Sequence, residues 1–379
     1  MFSVHQHWDP LQVCAVGRSY PPEFYSWIKV PRVRNLFERI AQETEEDFQN
    51  IIRTLAKFNV TVVRPDIAEF EPSQRNFPAP PMTPRDYCLM IGNTFYECIS
   101  LDLVRSYELC KDPSWPVVRT WDDYYNLPDW IRQELDQMHG VHDRGTWLER
   151  CWKPMFDLLN ANQVPIREHH LDYDLNGAMV TRLGRDLYFG TMRPGQDRNI
   201  IQRLVSDKFP DYRTHVVNTE GHADATYCPV CPGLIISLCD VDTYTETFPD
   251  WEVIYLEHEG WSKVKPFVDL KKRNKGKWWI PGFEYDDAVI EVVDGWMDHW
   301  VGFVEETVFD VNMLIIDPKN VMVFNENDKV FEALARYGIT PHVVPFRHRY
   351  FWDGGIHCVT TDLHRLGQQQ DLFPGRNRD

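Results

Sequence analysis

The sequence of 379 residues lacks three features that would point to particular classes of protein. It has no run of roughly 18 apolar residues, so we predict no transmembrane helix and no membrane partner. The opening residues, MFSVHQHWDP, contain neither the basic region nor the apolar core of a signal peptide. The net charge of −17 argues against a nucleic-acid partner, which would need clustered Lys and Arg, and it suits a cationic substrate.

Cysteine is present without the even-numbered framework of a disulfide-bonded secreted protein. Nine cysteines are scattered along the chain, which fits a reducing compartment, and we predict a cytoplasmic protein. The segment 228–231, Cys-Pro-Val-Cys, follows His222 and superficially resembles the ligand set of a zinc deaminase. That set needs Glu after the His and its Cys pair on a separate helix, so we expect no metal and no other cofactor.

Hydrophobic periodicity predicts a chain that begins β-α-β. Residues 11–16 have the pattern of a strand, and residues 33–58 place their apolar side chains mostly on one face of a helix. Residues 59–63 are predicted to form the next strand. Further helices are predicted over 130–139, 148–162, 197–209 and 328–337.

Four internal segments have the turn chemistry and the β-rich flanks of a hairpin. They are 85–99, 178–190, 223–238 and 311–324. The last strand, around Cys358, has no such partner nearby, and we expect it to pair with 11–16, so that the chain ends make a fifth module, as propellers close. The chain is then a single domain, 1–379, with insertions or loops at 111–150 and 260–300 that have either a functional or a packing role.

Gly354 and Gly355 precede Cys358 near the C-terminus. Glycines let the backbone approach a ligand closely, because they carry no Cβ, which makes these two residues candidate substrate-binding positions. Cysteine is the strongest ordinary nucleophile when its surroundings favour the thiolate. The segment therefore indicates a nucleophile at the mouth of a cleft, with a buried cysteine on a Gly-rich strand as the alternative.

Three further places carry polar side chains at the ends of predicted strands. Asp86 starts a hairpin strand, and a polar run before the second hairpin contains Asp174 and Asn176. His222 and Asp224 are two residues apart, so on a strand their side chains would share one face. With a cysteine they resemble the parts of a thiol enzyme that acts on a cation, although Asp86 could cap a strand and His222 could be a core histidine.

Taken in order, these blocks resemble the glycine/inosamine type of amidinotransferase, a family of the guanidino-modifying (pentein) superfamily. The most specific blocks are 222–226, His-Ala-Asp-Ala-Thr, and 354–358, Gly-Gly-Ile-His-Cys. Blocks at 84–86, 182–186 and 312–314 extend the resemblance over nearly the whole chain. It implies an α/β fold, a five-bladed α/β propeller of ββαβ-type modules with pseudo-fivefold symmetry, which is consistent with four hairpins plus one closing pair.

The resemblance also implies an enzyme that moves an amidino group from a small guanidino donor, arginine in the family, to an amine acceptor. Cys358 would attack the guanidinium carbon and form a covalent amidino-cysteine. Asp86 and Asp224 would bind the planar cation, and His222 would transfer protons. No cofactor is implied. The family often forms homodimers, and a homodimer is therefore one expectation for this chain.

The chain departs from the family at two places in its catalytic and donor-binding blocks. The acidic residue that orients the family's catalytic histidine is replaced by Asn176, which cannot stabilise an imidazolium by charge, unless Asp174 substitutes for it. The arginine that holds the donor's carboxylate aligns near Val241 with no Arg close by. Arg347 or Arg349, just before the Cys358 segment, could replace it.

The acceptor side also differs from the family. Glu305 and Glu306 stand where small hydroxyl residues are usual. Two acidic side chains would favour a cationic acceptor, such as a diamine, over glycine.

Two alternatives stay open. A deiminase or amidinohydrolase of the same superfamily would use the same cysteine, with water in place of the acceptor amine. A catalytically weakened guanidino-binding protein would retain the pocket, and Asn176 is the residue that supports this alternative.

Overall fold

The computed structural model describes most of the chain, with gaps. The described residues are 2–67, 79–98, 116, 126–133, 151–168, 176–191, 197–219, 221–238, 244–256, 278–297, 310–352 and 354–376. Within these ranges the strands form five sheets of three strands each, and helices accompany them. None of the helices in these ranges is long and apolar enough to cross a membrane.

The chain begins with the predicted β-α-β unit. Strand β1 (Leu11–Val16) is followed by helix α1 (Pro31–Ala56) and by strand β2 (Thr61–Val63), which pairs in parallel with β1. Pro31 occupies the first helical position, where a missing N–H leaves no intrahelical bond unmade. One face of α1 is buried, as its hydrophobic period requires, which confirms the helix predicted over 33–58.

The elements after β2 repeat the order hairpin, helix, strand. In chain order they are β3 (Cys88–Ile91), β4 (Thr94–Glu97), α2 (Lys153–Ala161), β5 (Ile166–Glu168), β6 (Val180–Leu183), β7 (Asp186–Gly190), α3 (Arg198–Lys208), β8 (Arg213–Val217), β9 (Tyr227–Cys231), β10 (Leu234–Ser237), α4 (Tyr244–Thr247), β11 (Glu252–Tyr255), α5 (Asp287–Val292), β12 (Leu314–Asp317), β13 (Asn320–Val323), α6 (Asp328–Arg336), β14 (Thr340–Val343), α7 (Arg349–Trp352) and β15 (Thr360–Arg365).

Each of the four internal sheets consists of an antiparallel hairpin and a third strand in parallel. In the second of them, Val180 on β6 faces Phe189 on β7, and Gly190 on β7 faces Val217 on β8. Gly184, with φ 66°, supplies the left-handed residue in the tight turn between β6 and β7. The four predicted hairpins are therefore confirmed as β3–β4, β6–β7, β9–β10 and β12–β13.

The fifth sheet joins the two ends of the described chain. Strand β15 pairs antiparallel with β1, so that Thr360 faces Val16 and Asp362 faces Cys14. This confirms the predicted fifth module and gives a five-module, propeller-like arrangement. One detail was wrong: the strand begins at Thr360, and Cys358 lies before it in a turn over residues 356–359.

The first strands of the modules surround a narrow central cavity. Residues of β6, β9, β12 and β15 line it, together with the side chains of His7, Asp224 and His357. The volume of this cavity is about 20 Å³, which is room for little more than one water molecule. The centre of the arrangement is therefore packed and polar, and the functional side chains gather at the places where the chain enters these first strands.

The two predicted insertions lie only partly within the described residues. Of 111–150, residues 116 and 126–133 are described, and 129–133 are helical. Of 260–300, residues 278–297 are described and contain α5 and a π-helical turn, Val293–Met297. Trp278 and Val289 pack into the same apolar core as α1, so this part of the second insertion has a packing role.

Candidate active site

Short turns that precede the first strands of four modules carry the predicted site residues. Asp86 ends a one-turn 3₁₀ helix, Pro84–Asp86, and lies two residues before β3. Asn176 precedes another, Gly177–Met179, which leads into β6. Cys358 lies two residues before β15. Because the first strands converge at the centre of the fold, these turns bring distant parts of the sequence to one place.

His222 and Asp224 do not lie on a strand, which corrects the prediction. His222 is the residue before a third one-turn 3₁₀ helix, Ala223–Ala225, which contains Asp224. Tight backbone hydrogen bonds form this turn, such as the one from the N–H of Ala225 to the carbonyl of His222 at 3.2 Å. A 3₁₀ helix has three residues per turn, so side chains two residues apart do not lie on the same face. His222 and Asp224 therefore have separate neighbours.

The three 3₁₀ helices form a contiguous set. The helix that contains Asp86 contacts the helix that follows Asn176, which in turn contacts the helix that contains Asp224. The helix of Asp86 also contacts β15, the strand that follows Cys358. The fold thus brings together the predicted residues of four modules.

The side chain of Asn176 contacts the ring of His222. Its Oδ1 accepts a hydrogen bond from the backbone N–H of Ala178 at 3.0 Å, in the manner of a helix N-cap. Because a backbone N–H can only donate, this contact fixes which end of the amide is oxygen, and Nδ2 therefore faces Nε2 of His222 at 3.3 Å. Asn176 gives an N–H to the ring, and Nε2 of His222 is the acceptor.

The thiol of Cys358 lies between an amide and a carboxylate. Cys358 is buried, and its Sγ is 3.1 Å from Nδ2 of Asn312 and 3.6 Å from Oδ2 of Asp224. The amide donates to the sulfur, and the carboxylate accepts from the thiol. The surroundings of the sulfur therefore contain one group that favours the thiolate and one that favours the thiol.

His357, the neighbour of Cys358, holds the carboxylate of Asp224. Its Nδ1 lies 2.8 Å from Oδ2 of Asp224. Burial lowers the pKa of His357 well below its usual value, and the positive charge of Arg85 lowers it further. His357 is therefore neutral near pH 7, and its single N–H donates to Asp224.

Asp362 on β15 binds three arginines, and one of them, Arg85, also binds the turn of Cys358. Arg182 makes two hydrogen bonds of 2.8 Å to its carboxylate, and Arg85 and Arg365 contact it at 3.2 Å and 2.7 Å. Burial alone would raise the pKa of Asp362, but the three guanidinium groups hold it well below its usual range. Nε of Arg85 also donates to the carbonyl groups of His357 and Thr360, on either side of Cys358, at 2.8 Å and 3.1 Å.

The two glycines before Cys358 have close neighbours from the protein itself. A Cβ on Gly355 would lie 2.0 Å from Oδ1 of Asn312, so only glycine admits that side chain. A Cβ on Gly354 would lie 3.0 Å from the side chain of Val359.

Some predicted residues lie outside the described residues or are engaged elsewhere. Asp174, Val241, Glu305 and Glu306 lie outside the described ranges. Arg347 pairs with Asp47 of α1 at 2.9 Å, which does not favour a role for it in holding a substrate carboxylate. Within the described ranges, no group of three or more His, Cys, Asp or Glu side chains is placed to hold a metal ion.

Known proteins are similar to the chain over nearly its whole length. Mitochondrial glycine amidinotransferase of Xenopus tropicalis is 23% identical over 410 residues, covering 97% of this chain and 84% of that protein. Inosamine-phosphate amidinotransferase 1 of Streptomyces griseus is 22% identical over 404 residues, covering 98% and 99%. The solved structure of a Microseira wollei amidinotransferase from a saxitoxin biosynthetic pathway has a TM-score of 0.60 at 16% identity, covering 98% and 99%. No family model matches the chain.

The chain is a homologue of the amidinotransferases. The likeness to the solved structure extends over both whole chains and shows the same mixed α/β fold. With the five three-stranded sheets, it confirms the predicted pentein-type arrangement of five modules.

Two residues of this amidinotransferase homologue contact the predicted site residues although no role was predicted for them. Asn312 was included only in the block 312–314 that supported the family resemblance, and His357 only in the block that contains Cys358. The modular fold holds a signal for the first: Asn312 lies two residues before β12, as Cys358 lies two residues before β15. The equivalent positions before β6 and β9 are Ala178 and Ala225, so this signal is useful only together with the residue type.

Proposed function

We propose that the protein transfers an amidino group from a guanidino donor, arginine or a close analogue, to an amine acceptor through a covalent intermediate on Cys358. The observation that carries the proposal is the position of the Cys358 thiol beside the carboxylate of Asp224, at 3.6 Å. A guanidinium bound to that carboxylate places its carbon within reach of the sulfur. The homology to amidinotransferases supports transfer as the reaction class.

In the first step the donor binds as a cation. The turns that contain Asp86 and Asp224 both contact the turn that follows Asn176, and a planar guanidinium pairs well with two carboxylates. The sulfur of Cys358 attacks the guanidinium carbon, a C–S bond forms and the C–N bond to the leaving amine breaks. His222 delivers the proton that the leaving amine needs.

In the second step the acceptor amine attacks the amidino carbon. A C–N bond forms, the C–S bond breaks and its electron pair returns to sulfur. His222 takes the proton that the amine loses, so the thiolate and the histidine begin the next cycle as they began the first. Exclusion of water during this step separates transfer from hydrolysis.

Asn176 supports a second candidate function. Because its amide donates to Nε2 of His222, it stabilises the neutral ring and not the imidazolium. An enzyme with this contact has a weak proton donor for the leaving amine. A guanidino-binding protein with little turnover would retain the same carboxylates and thiol.

The acceptor is proposed to be a cationic amine such as a diamine, because the acidic residues Glu305 and Glu306 stand where the family usually has small hydroxyl residues on the acceptor side. Turnover with a series of diamines and with glycine tests this proposal. Good turnover with glycine and none with diamines contradicts it. A reducing compartment such as the cytoplasm is proposed because the reaction needs a reduced thiol, and Cys14 and Cys88 are also free thiols. A homodimer stays a prediction.

Mass spectrometry of the intact protein tests the covalent step. After incubation with arginine and no acceptor, we expect a mass increase equal to one amidino group, absent in Cys358→Ala and lost when an amine is added. Release of citrulline or urea without an acceptor would instead indicate a hydrolase. Thermal stabilisation by arginine, with neither adduct nor product, would indicate the binding protein.

A further inference from the structure

Asn312 has a hydrogen-bonding partner for each side of its amide, and all of them lie around the nucleophile. Oδ1 accepts from the backbone N–H groups of His357 and Cys358, at 2.8 Å and 3.4 Å. Nδ2 lies 3.1 Å from Sγ of Cys358 and 3.3 Å from the carbonyl oxygen of Asp224. The side chain is buried, so these contacts are made away from bulk water.

The orientation of this amide follows from its partners. The two backbone N–H groups can only donate, so the oxygen must face them, and the NH₂ group must then face the sulfur. The amide cannot turn over without placing NH₂ against two N–H donors. Glycine at 355 leaves the space that the side chain needs, since a Cβ there would lie 2.0 Å from Oδ1.

We propose that Asn312 is a catalytic residue that stabilises the thiolate of Cys358 with a fixed N–H donor. This assignment rests on the proposed function, in which Cys358 is the nucleophile. In the first step the donor favours the thiolate that attacks the guanidinium carbon. In the second step the same N–H stabilises the thiolate that leaves when the C–S bond breaks.

The charge distribution around the sulfur gives this donor its importance. Oδ2 of Asp224, 3.6 Å from Sγ, opposes a negative charge on the sulfur until a cationic substrate neutralises it. Arg85 donates to Asp362 and to the carbonyl groups of His357 and Thr360. The amide of Asn312, 3.1 Å from Sγ, is a neutral donor that favours the thiolate.

The place of Asn312 in the modular fold is consistent with the assignment. Asp86, Asn312 and Cys358 each lie two residues before the first strand of a module, before β3, β12 and β15. The proposed function gives roles to the first and the third. Asn312 holds the equivalent position in the fourth module, where its amide contacts Sγ. In the second and third modules this position is Ala178 and Ala225, so the assignment depends on the residue type and on the contact with the sulfur.

Alkylation of Cys358 by iodoacetamide, measured against pH, tests the assignment in the substrate-free protein. Asn312→Asp keeps an oxygen for the two backbone N–H groups and replaces the donor at the sulfur by a carboxyl oxygen. A carboxylic acid is the stronger acid, so a proton shared by the pair stays on sulfur. We expect the midpoint of the rate–pH profile to rise by at least about one pH unit, and the rate at pH 7.5 to fall about tenfold.

The controls separate this effect from misfolding and from other thiols. Asn50→Asp makes the same chemical change on the exposed side of α1 and should leave the profile unchanged. Burial raises the pKa of Cys14 and Cys228 to about 12, so these thiols react slowly, and peptide mass spectrometry identifies the alkylated residue. Asn312→Ala removes the donor without adding charge and should move the midpoint in the same direction by a smaller amount.

Folded Asn312→Asp and Asn312→Ala variants with the wild-type profile would overturn the assignment. If neither variant folds, the wild-type protein decides: the side-chain amide resonance of ¹⁵N-labelled Asn312 should move with pH at the midpoint of Cys358 alkylation, and an unmoved resonance would contradict the proposal. Alkylation needs no donor or acceptor. A shifted profile without any amidino adduct would therefore contradict the proposed function, while it would still show that Asn312 stabilises the thiolate of Cys358.

Discussion

Nδ2 of Asn176 lies 3.3 Å from Nε2 of His222, and Oδ1 of the same amide is held at 3.0 Å by the N–H of Ala178. An aspartate in this position would accept from both groups with its two oxygens. Asparagine keeps the N-cap contact and reverses the direction of the contact with histidine. The single change from an acid to an amide thus leaves the local fold intact and alters the protonation state that the ring prefers.

Asn176→Asp should therefore raise turnover. A carboxylate beside Nε2 stabilises the imidazolium, so the limb of the rate–pH profile that reports His222 should move to higher pH by about one unit. We expect kcat with a guanidino donor to rise by roughly tenfold or more, given that an Asp-to-Asn change at a comparable histidine costs about 10⁴ in a serine protease. Asn162→Asp, on the surface at the end of α2, serves as the control. Unchanged kcat and an unmoved limb would contradict this account.

Asp362 is expected to be essential for stability. Its carboxylate compensates three buried guanidinium groups, and Asp362→Asn would leave that positive charge without its counterion. We expect a loss of about 3–5 kcal/mol in the free energy of unfolding, measured by urea denaturation. Asp371→Asn is the matched control, because Asp371 pairs with Arg213 and Arg185 at the surface, and it should cost below about 1 kcal/mol. Equal losses in the two variants would refute the distinction.

The five-module fold was predictable because its signals are local. Turn residues such as those around Gly184 mark each hairpin. A short β-rich segment lies near each end of the chain without a hairpin partner, so these two segments were expected to pair with each other, as β1 and β15 do. The site was less predictable in detail. A tight 3₁₀ turn before a strand has no hydrophobic period, so the placement of His222 and Asp224 on a strand was wrong.

Contacts between modules also could not be predicted from the sequence. The contact between Asn312 and Cys358 spans 46 residues, and nothing in the local pattern of either residue indicates it. Asn176 is the opposite case: alignment with a family pattern identified the position, but only the contact with Ala178 gives the direction of its hydrogen bond to His222. The sequence predicted Cys358, Asn176 and His222 as site residues but not Asn312, and the geometry shows what each side chain donates or accepts.

Two buried neutral histidines should make stability depend on pH. Burial lowers the pKa of His7 and of His357 well below the ordinary value of 6.5, and the nitrogen of His7 that accepts from the N–H of Arg182, at 3.1 Å, must stay unprotonated. Below pH 6.5 the unfolded chain binds protons that the folded protein does not, so stability falls as pH decreases. Each such histidine contributes a slope of about 1.4 kcal/mol per pH unit below that value.

His7→Gln isolates one of these contributions. Glutamine keeps an acceptor for the N–H of Arg182 and does not titrate. Urea midpoints measured between pH 7.5 and 5.5 should fall less steeply in the variant than in the wild-type protein, by about one proton's slope. His5→Gln should reduce the slope less than His7→Gln, because His5 is only half buried and burial lowers its pKa, but not far below the ordinary value as it does for His7. Parallel curves for His7→Gln and the wild-type protein would mean that His7 is protonated in the folded state.

Asp224→Asn should separate thiol reactivity from substrate binding. The carboxylate of Asp224 lies 3.6 Å from Sγ of Cys358 and opposes a charge on the sulfur, while the same carboxylate is proposed to bind the guanidinium. Asparagine still accepts from Nδ1 of His357, so the side chain stays in place. We expect alkylation of Cys358 at pH 7.5 to become about tenfold faster and KM for the donor to rise by roughly a hundredfold or more. Loss of both activities together would indicate a collapsed site, and unchanged KM would remove Asp224 from donor binding.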